Sequence, residues 1–474
     1  MTDPTTHTPP ITPELAWRYK IVWARQNGSS IVLHASDTVS SAQLQQQKEE
    51  LELITGHTIS FEPLDEATLM QRLTAQYAKR DNADERLQHN YYEGHPDNFL
   101  NDLIAEAKSL KSSDIHIETY DNDCRVRIRV DGLLVLRYLI EKKQYPSLIN
   151  KIKIAANLDI AEKRLPQDGR IFFNKGSDKF DIRVSIVPAL YGEKVVLRLL
   201  SNDATDITLE HLGFSENDLY NYLEGLKKPY GIILISGPTG SGKTTTLYAT
   251  LKRLNLSTKN ILTIEDPIEY TLQGVNQVQV RENIGLTFAK ALRTFLRQDP
   301  DIIMLGEIRD AETANMAIRA ALTGHLVLST IHTNSAWGTI SRLTDMGIPS
   351  FLIANTLNTS VAQRLVRLLC PDCKKEMPFD HSLFPRKYTA PEQVATHYIP
   401  VGCSKCFNTG YKKRKAIYEV IPIDEDLAEE VKKGSSKVDE LLAEKNVQTL
   451  AGNAFHLFKT GQTSIEEVYS MLLG

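Results

Sequence analysis

The stretch Gly237-Pro238-Thr239-Gly240-Ser241-Gly242-Lys243-Thr244 leaves few folds open to a chain that contains it. Before it, Tyr230-Gly231-Ile232-Ile233-Leu234-Ile235-Ser236 is a short apolar run, which reads as a buried parallel strand. After it, Thr245-Thr246-Leu247-Tyr248-Ala249-Thr250-Leu251 reads as a helix. Strand, glycine loop and helix are the context that the phosphate-loop pattern requires. The glycines let backbone N–H groups turn inward on a triphosphate, and the helix start adds its positive dipole end. In this reading Gly237, Pro238, Thr239, Gly240, Ser241, Gly242, Lys243, Thr244 and Thr245 bind ATP. Lys243 reaches the β and γ phosphates, and the Thr244 hydroxyl is a ligand of Mg2+.

A chain of 474 residues is too long for one core and is expected to divide into several domains. Its 55 basic and 59 acidic residues leave a net charge of −4, which argues against a generally nucleic-acid-coating surface. No run of about 18 apolar residues is present, so no transmembrane helix is expected. The start, Met1-Thr2-Asp3-Pro4-Thr5-Thr6-His7, lacks the charged and apolar regions of a secretory signal. A cytoplasmic protein is the expectation, with any membrane contact made through a partner.

Residues 1–78 read as an N-terminal docking domain. Ser30–His34 and Thr58–Phe61 are its strands, and Ser41–Leu51 and Ala67–Leu73 its helices. Residues 79–96 are polar and charged with little periodicity, and read as a linker. Residues 97–202 read as a second N-terminal α+β domain. Arg125–Val130 alternates strictly, Asp131-Gly132 is a hairpin turn, and Leu133–Leu136 returns. Phe180–Ile186 and Lys194–Leu200 are further strands, which gives a polar sheet face carrying arginines. After a hinge at 203–208, residues 209–367 alternate strands and helices as a RecA-like phosphate-loop core with a parallel sheet. Leu343, Met346, Phe351, Leu352, Ala354, Leu357 and Val361 read as the apolar stripes of its last helices. Residues 368–410 hold a tetracysteine unit, and 411–474 read as a helical C-terminal region.

Glu307 closes the buried run Asp299–Gly306, where a phosphate-loop enzyme places the residue that handles magnesium and attacking water. Glycine rather than an acid precedes it, so Glu307 is expected to polarise water, with Mg2+ held by Thr244, waters and phosphate. Ile261–Tyr270 is an apolar strand ending in the acids Glu265, Asp266 and Glu269, open to cation handling, water activation or plain solvation. The pairs Cys370-x-x-Cys373 and Cys403-x-x-Cys406 are separated by the 29 residues 374–402 and fit a closed, structural Zn2+ site. Cys124 stands alone in a strand, as a core residue would. Arg183 and Arg198 lie on strands of the second domain, where a solvated charge is the usual role. Arg293 and Arg297 share a face of the helix expected over Thr287–Gln298. They are surface charges, an intrahelical pair or an intersubunit arginine finger. His325 and His332 flank a strand, as satisfied buried histidines or as a sensor of the γ phosphate.

Taken together, these stretches resemble the ATPases that power type II secretion and type IV pilus assembly. Ile264-Glu265-Asp266-Pro267-Ile268-Glu269-Tyr270 is similar to that family's Asp box. Leu296–Asp301 through Gly306-Glu307-Ile308-Arg309-Asp310 is similar to its Walker B region. Thr323-Gly324-His325 through His332-Thr333-Asn334 is similar to its His box. Upstream, Ser113–Glu118, Arg164–Arg170 and Asp181–Ser185 are similar to its second N-terminal domain. The resemblance covers about residues 97–420, and the tetracysteine unit is similar to that of the export and assembly branches.

The resemblance implies a homohexameric ring whose two domains rotate about the hinge. It implies that Arg183 and Arg198 swing over the γ phosphate, and that Glu265 assists the catalytic Glu307. Arg293, Arg297 and Arg309 match positions tied to nucleotide or subunit contacts. It further implies a motor at the inner membrane, peripheral to it, which meets secretion or pilus platform proteins through residues 1–78 and C-terminal regions. Pseudopilin assembly for type II secretion is the leading expectation, and type IV or competence pilus extension the alternative. A DNA-translocating ring motor would want a basic pore, and the local run Lys412-Lys413-Arg414-Lys415 is thin support for one.

Overall fold

The computed structural model describes residues 11, 13–27, 30–55, 57–76, 98–175, 178–200, 208–435 and 437–473. The linker expected at 79–96 lies outside these, as do residues 203–207 of the expected hinge. The chain forms two compact units, 1–93 and 94–474.

In the first unit, β1 (Ile21–Asn27) pairs antiparallel with β2 (Ser30–Ser36), and β2 pairs parallel with β3 (Thr58–Leu64). Helices Ser41–Thr55 and Glu66–Gln76 contribute Leu51, Leu69 and Leu73 to a core with Ile21, Ile31, Leu33 and Ile59. β2, β3 and both helices stand where the sequence puts them. The strand Ile21–Asn27 and the helix Pro13–Tyr19 were not legible: Arg25, Gln26 and Asn27 interrupt the apolar alternation that marks a strand.

The second unit opens with the helix Phe99–Ser109, followed by a six-stranded antiparallel sheet. Its strands are β4 (Asp114–Thr119), β5 (Cys124–Val130), β6 (Leu133–Ile140), β7 (Gln167–Lys175), β8 (Asp178–Ala189) and β9 (Gly192–Leu200), in the order β6-β5-β4-β9-β8-β7. Strict alternation sends Phe180, Ile182, Val184 and Ile186 of β8 inward. Their neighbours face outward, and register lines up one row across five strands: Arg129, Asp114, Arg198, Arg183 and Arg170. Cys124 is buried, with its thiol on the Thr119 hydroxyl.

Next comes a seven-stranded sheet. It contains β10 (Gly231–Ser236), β11 (Ile261–Glu265), β12 (Asn276–Gln279), β13 (Ile302–Leu305), β14 (Leu326–Ile331), β15 (Leu357–Leu369) and β18 (Tyr411–Pro422), in the order β12-β11-β13-β14-β10-β15-β18. The first six are parallel. β10, β11, β13 and β14 are buried at every position, as strands sandwiched between helical layers must be.

Two sequence expectations are corrected here. Leu357 and Val361 lie on β15 rather than on a helix, and Phe351 is 56% exposed. The leucine spacing of 357–369 suits either structure; pairing with β10 on one side and β18 on the other decides it. The C-terminal region is helical only from Glu425. Tyr411–Pro422 is a strand that pairs antiparallel with β15, so the sheet continues past the tetracysteine unit. Within that unit, β16 (Lys375–Pro378) pairs with β17 (Thr396–Ile399). The Phe379 ring then packs, tilted by 60°, against Phe458 of the C-terminal helix Leu450–Lys459. Among the described residues no helix is long and apolar enough to cross a membrane.

Candidate functional site

The phosphate loop leaves β10 at Ser236 and ends at Gly242, which caps the helix Lys243–Leu254. Two of its glycines are dictated by packing as well as by backbone angle. Gly237 has φ +149°, and a Cβ there would meet the Gln363 carbonyl at 2.5 Å. Gly242 has φ +89°, and a Cβ there would meet Gln363 Nε2 at 2.8 Å. Gln363 is buried on β15 under the loop, and its Oε1 accepts the Thr246 hydroxyl at 2.9 Å. The Tyr418 hydroxyl of β18 sits 3.3 Å from the same Thr246 oxygen. Lys243 Nζ donates to the carbonyls of Gly237 at 2.8 Å and Pro238 at 3.0 Å. Burial lowers the Lys243 pKa, and the charge of Glu307 works in the opposite direction. Thr244 is exposed at the first turn of the helix.

Two acids stand beside the loop in different environments. Glu307 follows β13, and its side chain is 17% exposed. One oxygen accepts from Arg309, whose guanidinium also lies 3.7 Å from Asp266, and the other is 3.4 Å from His332 Nε2. Glu265 ends β11 and is buried. The Thr263 hydroxyl (2.7 Å) and Gln277 Nε2 (3.0 Å) donate to one of its oxygens, and the Tyr248 hydroxyl donates to the other. Burial, then the Glu265 charge, raises the Tyr248 pKa, so the phenol stays a donor. The solvated strand end left open by the sequence does not apply to Glu265.

The arginines and histidines separate in the same way. Arg183 Nη2 donates to the Ile268 carbonyl at 2.8 Å and lies 3.7 Å from Glu269, directly after the acid-rich strand end. Arg198 Nε donates to Asp114 at 2.9 Å. Both line a cavity of about 570 Å3 with Arg170 on the sheet side and Pro267 and Gln279 opposite. Arg293 pairs with Glu312 of the following helix at 3.3 Å, and Arg297 donates to the Arg293 carbonyl. The structure therefore brings neither against the phosphate loop of its own chain. The helix that carries Arg293 is shorter than expected, Phe288–Phe295, with Thr287 as its cap. His332 reaches Glu307, whereas His325 Nδ1 is spent on the Ala320 carbonyl at 2.9 Å, at a helix end.

The four cysteines stand together. Their sulfurs lie within 4.8 Å of one another, with Cys370–Cys403 at 3.9 Å, Cys373–Cys406 at 3.8 Å and Cys403–Cys406 at 3.7 Å. Four thiolates at about 2.3 Å around a tetrahedral Zn2+ stand about 3.8 Å apart, so the donor set fits. Amides of Gly402, Cys403 and Gly410 donate to the sulfurs of Cys373 and Cys406 at 3.2–3.3 Å. Burial pushes the Cys373 thiol up to about 12 and raises Cys370 as well, whereas at Cys403 burial is outweighed by hydrogen bonds from Cys406 and the Lys405 amide, which lower it. The four cysteines can hold a metal ion.

The family model described as Type II/IV secretion system protein matches residues 93–470. The chain belongs to this family. Type II secretion system protein E of Pseudomonas aeruginosa is 47% identical over 372 residues, 78% of this chain and 74% of that one. Type II secretion system ATPase E of Vibrio cholerae is 46% identical over 376 residues, with the same coverage. Type IV pilus assembly ATPase PilB of Myxococcus xanthus is 47% identical over 376 residues, 78% of this chain and 66% of that one. Among solved structures, the pilus retraction motor PilT with bound ADP superposes with a TM-score of 0.53 at 26% identity, covering 78% of this chain and 95% of that one. The Legionella pneumophila ATPase DotB shares the fold, with a TM-score of 0.59 at 23% identity over 82% and 98% of the two chains. Family membership makes this chain an ATP hydrolase, to which Mg2+ belongs with the nucleotide.

Sequence reasoning missed the residues that support the loops of this secretion-family site. Tyr248 and Gln277 hold Glu265 from a helix and an edge strand. Gln363 and Arg364 brace the phosphate loop from β15, where Arg364 Nη2 also holds the Asn334 carbonyl at 2.7 Å. The one signal was two adjacent polar residues inside the apolar run 361–369.

Proposed function

We propose that the chain is the cytoplasmic ATP-driven motor of a type II secretion machine, a homohexamer that converts hydrolysis into domain rotation and rotation into pseudopilin assembly. The observation that carries this reading is the cavity between the arginine row and the core. It places two arginines of one module beside the acid-rich loop of another. A nucleotide-dependent contact there would give ATP and ADP different grips on the two modules, which is what a two-state motor requires. In this reading Lys243 binds the β and γ phosphates, Glu307 polarises the attacking water, and Glu265 positions the loop that carries Arg183's partner. Bound Mg2+ would supply charge neutralisation at the phosphates, held by the Thr244 hydroxyl. Arg293, Arg297 and Arg309 stand ready for subunit contacts. Residues 1–78 dock on an inner-membrane platform protein, and the chain is peripheral to that membrane.

A second reading, type IV pilus extension, is favoured by the PilB relative at equal identity. Deleting the gene in its host separates the two. The secretion reading predicts loss of secreted enzymes with surface pili intact. Loss of pili with secretion intact would replace it by the pilus reading.

Zinc is the metal proposed for the cysteines, with a structural role because no coordination position is left open. Purified, reduced protein is expected to carry one zinc per chain, and Cys370→Ser or Cys403→Ser to release it. The loss should unfold residues 374–402 while nucleotide binding, built from distant segments, persists. Elemental analysis that finds no metal in fresh protein would refute the assignment.

A further inference from the structure

The tetracysteine unit and the start of β18, which leaves it, touch the six-stranded sheet. The Lys413 amide donates to Asp131 Oδ2 at 2.7 Å, across 282 residues of sequence. Asp131 and Gly132 form the two-residue turn between β5 and β6, with φ +49° and +89°. Two left-handed central residues are the mark of a tight hairpin turn, and they aim the Asp131 side chain outward. Arg129 Nη1 donates to the Gly132 carbonyl at 2.8 Å and fixes the tip. On β6 of the same hairpin, the Arg137 guanidinium lies over the Phe407 ring at 5.7 Å, within cation–π range. Arg137 is itself held by Glu106.

Phe407 belongs to the backbone that wraps the last two cysteines, and Lys413 is the third residue of β18, the strand that leaves it. Phe407 directly follows Cys406 and has φ +53°, and Lys413 has φ +69°. The Asn408 amide returns to the Cys403 carbonyl at 2.9 Å, and the Gly410 amide donates to Cys406 Sγ at 3.3 Å. The position of the Phe407 ring thus follows from the shape of the knuckle. Charge points the same way: the Asp131 carboxylate meets the start of Lys412-Lys413-Arg414-Lys415, where Lys412, Lys413 and Arg414 are exposed.

We infer that the knuckle from Cys403 together with the first residues of β18, through Lys413, is an interaction surface whose partner is the β5–β6 hairpin of the same chain, and that the metal sets its shape. The metal then shapes a contact between modules in addition to folding its own loop. Among the described residues, the sheet meets the rest of the unit through Arg183 on Ile268 at the acid-rich loop, and through Asp131 on Lys413 and Arg137 on Phe407 at the cysteine end. The inference does not depend on which machine the chain drives.

The test is a distance, measured on the full chain with its metal bound. Spin labels carried by unnatural amino acids at Lys143 and Glu425, both exposed, leave the cysteines free. The expected result is a narrow distance distribution in the unaltered chain. Asp131→Gly keeps the left-handed turn and deletes the acceptor. Phe407→Asn keeps the left-handed backbone and deletes the ring. Each is expected to lose the narrow component, and stripping the metal with a chelator to lose it too. Elemental analysis shows whether Phe407→Asn keeps its metal; if it does not, Asp131→Gly, remote from the cysteines, decides alone. A narrow component that survives in Asp131→Gly at the wild-type distance would overturn the inference.

Discussion

Arg183→Ala and Arg198→Ala are each expected to cut ATP turnover by up to about 10³-fold, the scale of a lost arginine finger, while ADP affinity stays nearly unchanged. The reason is placement. Register sets Arg170, Arg183 and Arg198 side by side on three neighbouring strands, facing a cavity closed by Pro267 and Gln279. Three cations so close repel one another; Asp114 relieves Arg198 directly, and Glu269, 3.7 Å away, relieves Arg183 only in part. An anion with developing charge would relieve the rest. If the arginines only solvate a sheet face, the effects are different. Arg198 has a side chain 60% exposed, so its loss would change stability by about 0.5 kcal/mol or less and leave turnover alone. Arg183 is less exposed, at 21%, and its loss would also free the Ile268 carbonyl, so some destabilisation accompanies it in either case. Turnover of the assembled protein, beside ADP affinity and a melting curve, separates the two. Wild-type turnover in both variants would refute the clamp and the coupling built on it.

What could be read in advance follows a physical pattern. The phosphate loop was legible because strand, turn and helix are encoded within about 25 consecutive residues, each by its own local rule. The cysteine pairs were legible because metal geometry fixes short spacings. The alternating strands β5 and β8 were legible because one face is wet. β15 was not: its pattern satisfies both periods, and its strand state comes from partners at Ile232–Ser236 and Pro422–Tyr411. With β15 misread, Gln363 and Arg364 could not be placed beneath the loop. The roles of the paired histidines were also hidden. His325 and His332 flank one strand, yet a helix end takes the first and the Glu307 carboxylate faces the second. The burial of Glu265 depends on Tyr248 and Gln277, and no local rule links those positions.

Glu307→Gln is expected to keep ATP binding and to slow hydrolysis by at least about 10²-fold, the loss that accompanies removal of a general base. The amide preserves shape and can still face Arg309 and His332, but it cannot take a proton from water. Glu265 is a poor substitute for this task. It is buried, with donors from Thr263, Gln277 and Tyr248 already on its two oxygens. Lys243→Ala should lose both binding and turnover. The most direct test is a single-turnover experiment, in which protein in excess over labelled ATP is quenched at intervals and the ADP formed is counted. The account predicts that Glu307→Gln binds the ATP as the unaltered chain does and converts it at least about 10²-fold more slowly. Conversion at the unaltered rate would contradict the assignment of Glu307 and return Glu265 to consideration.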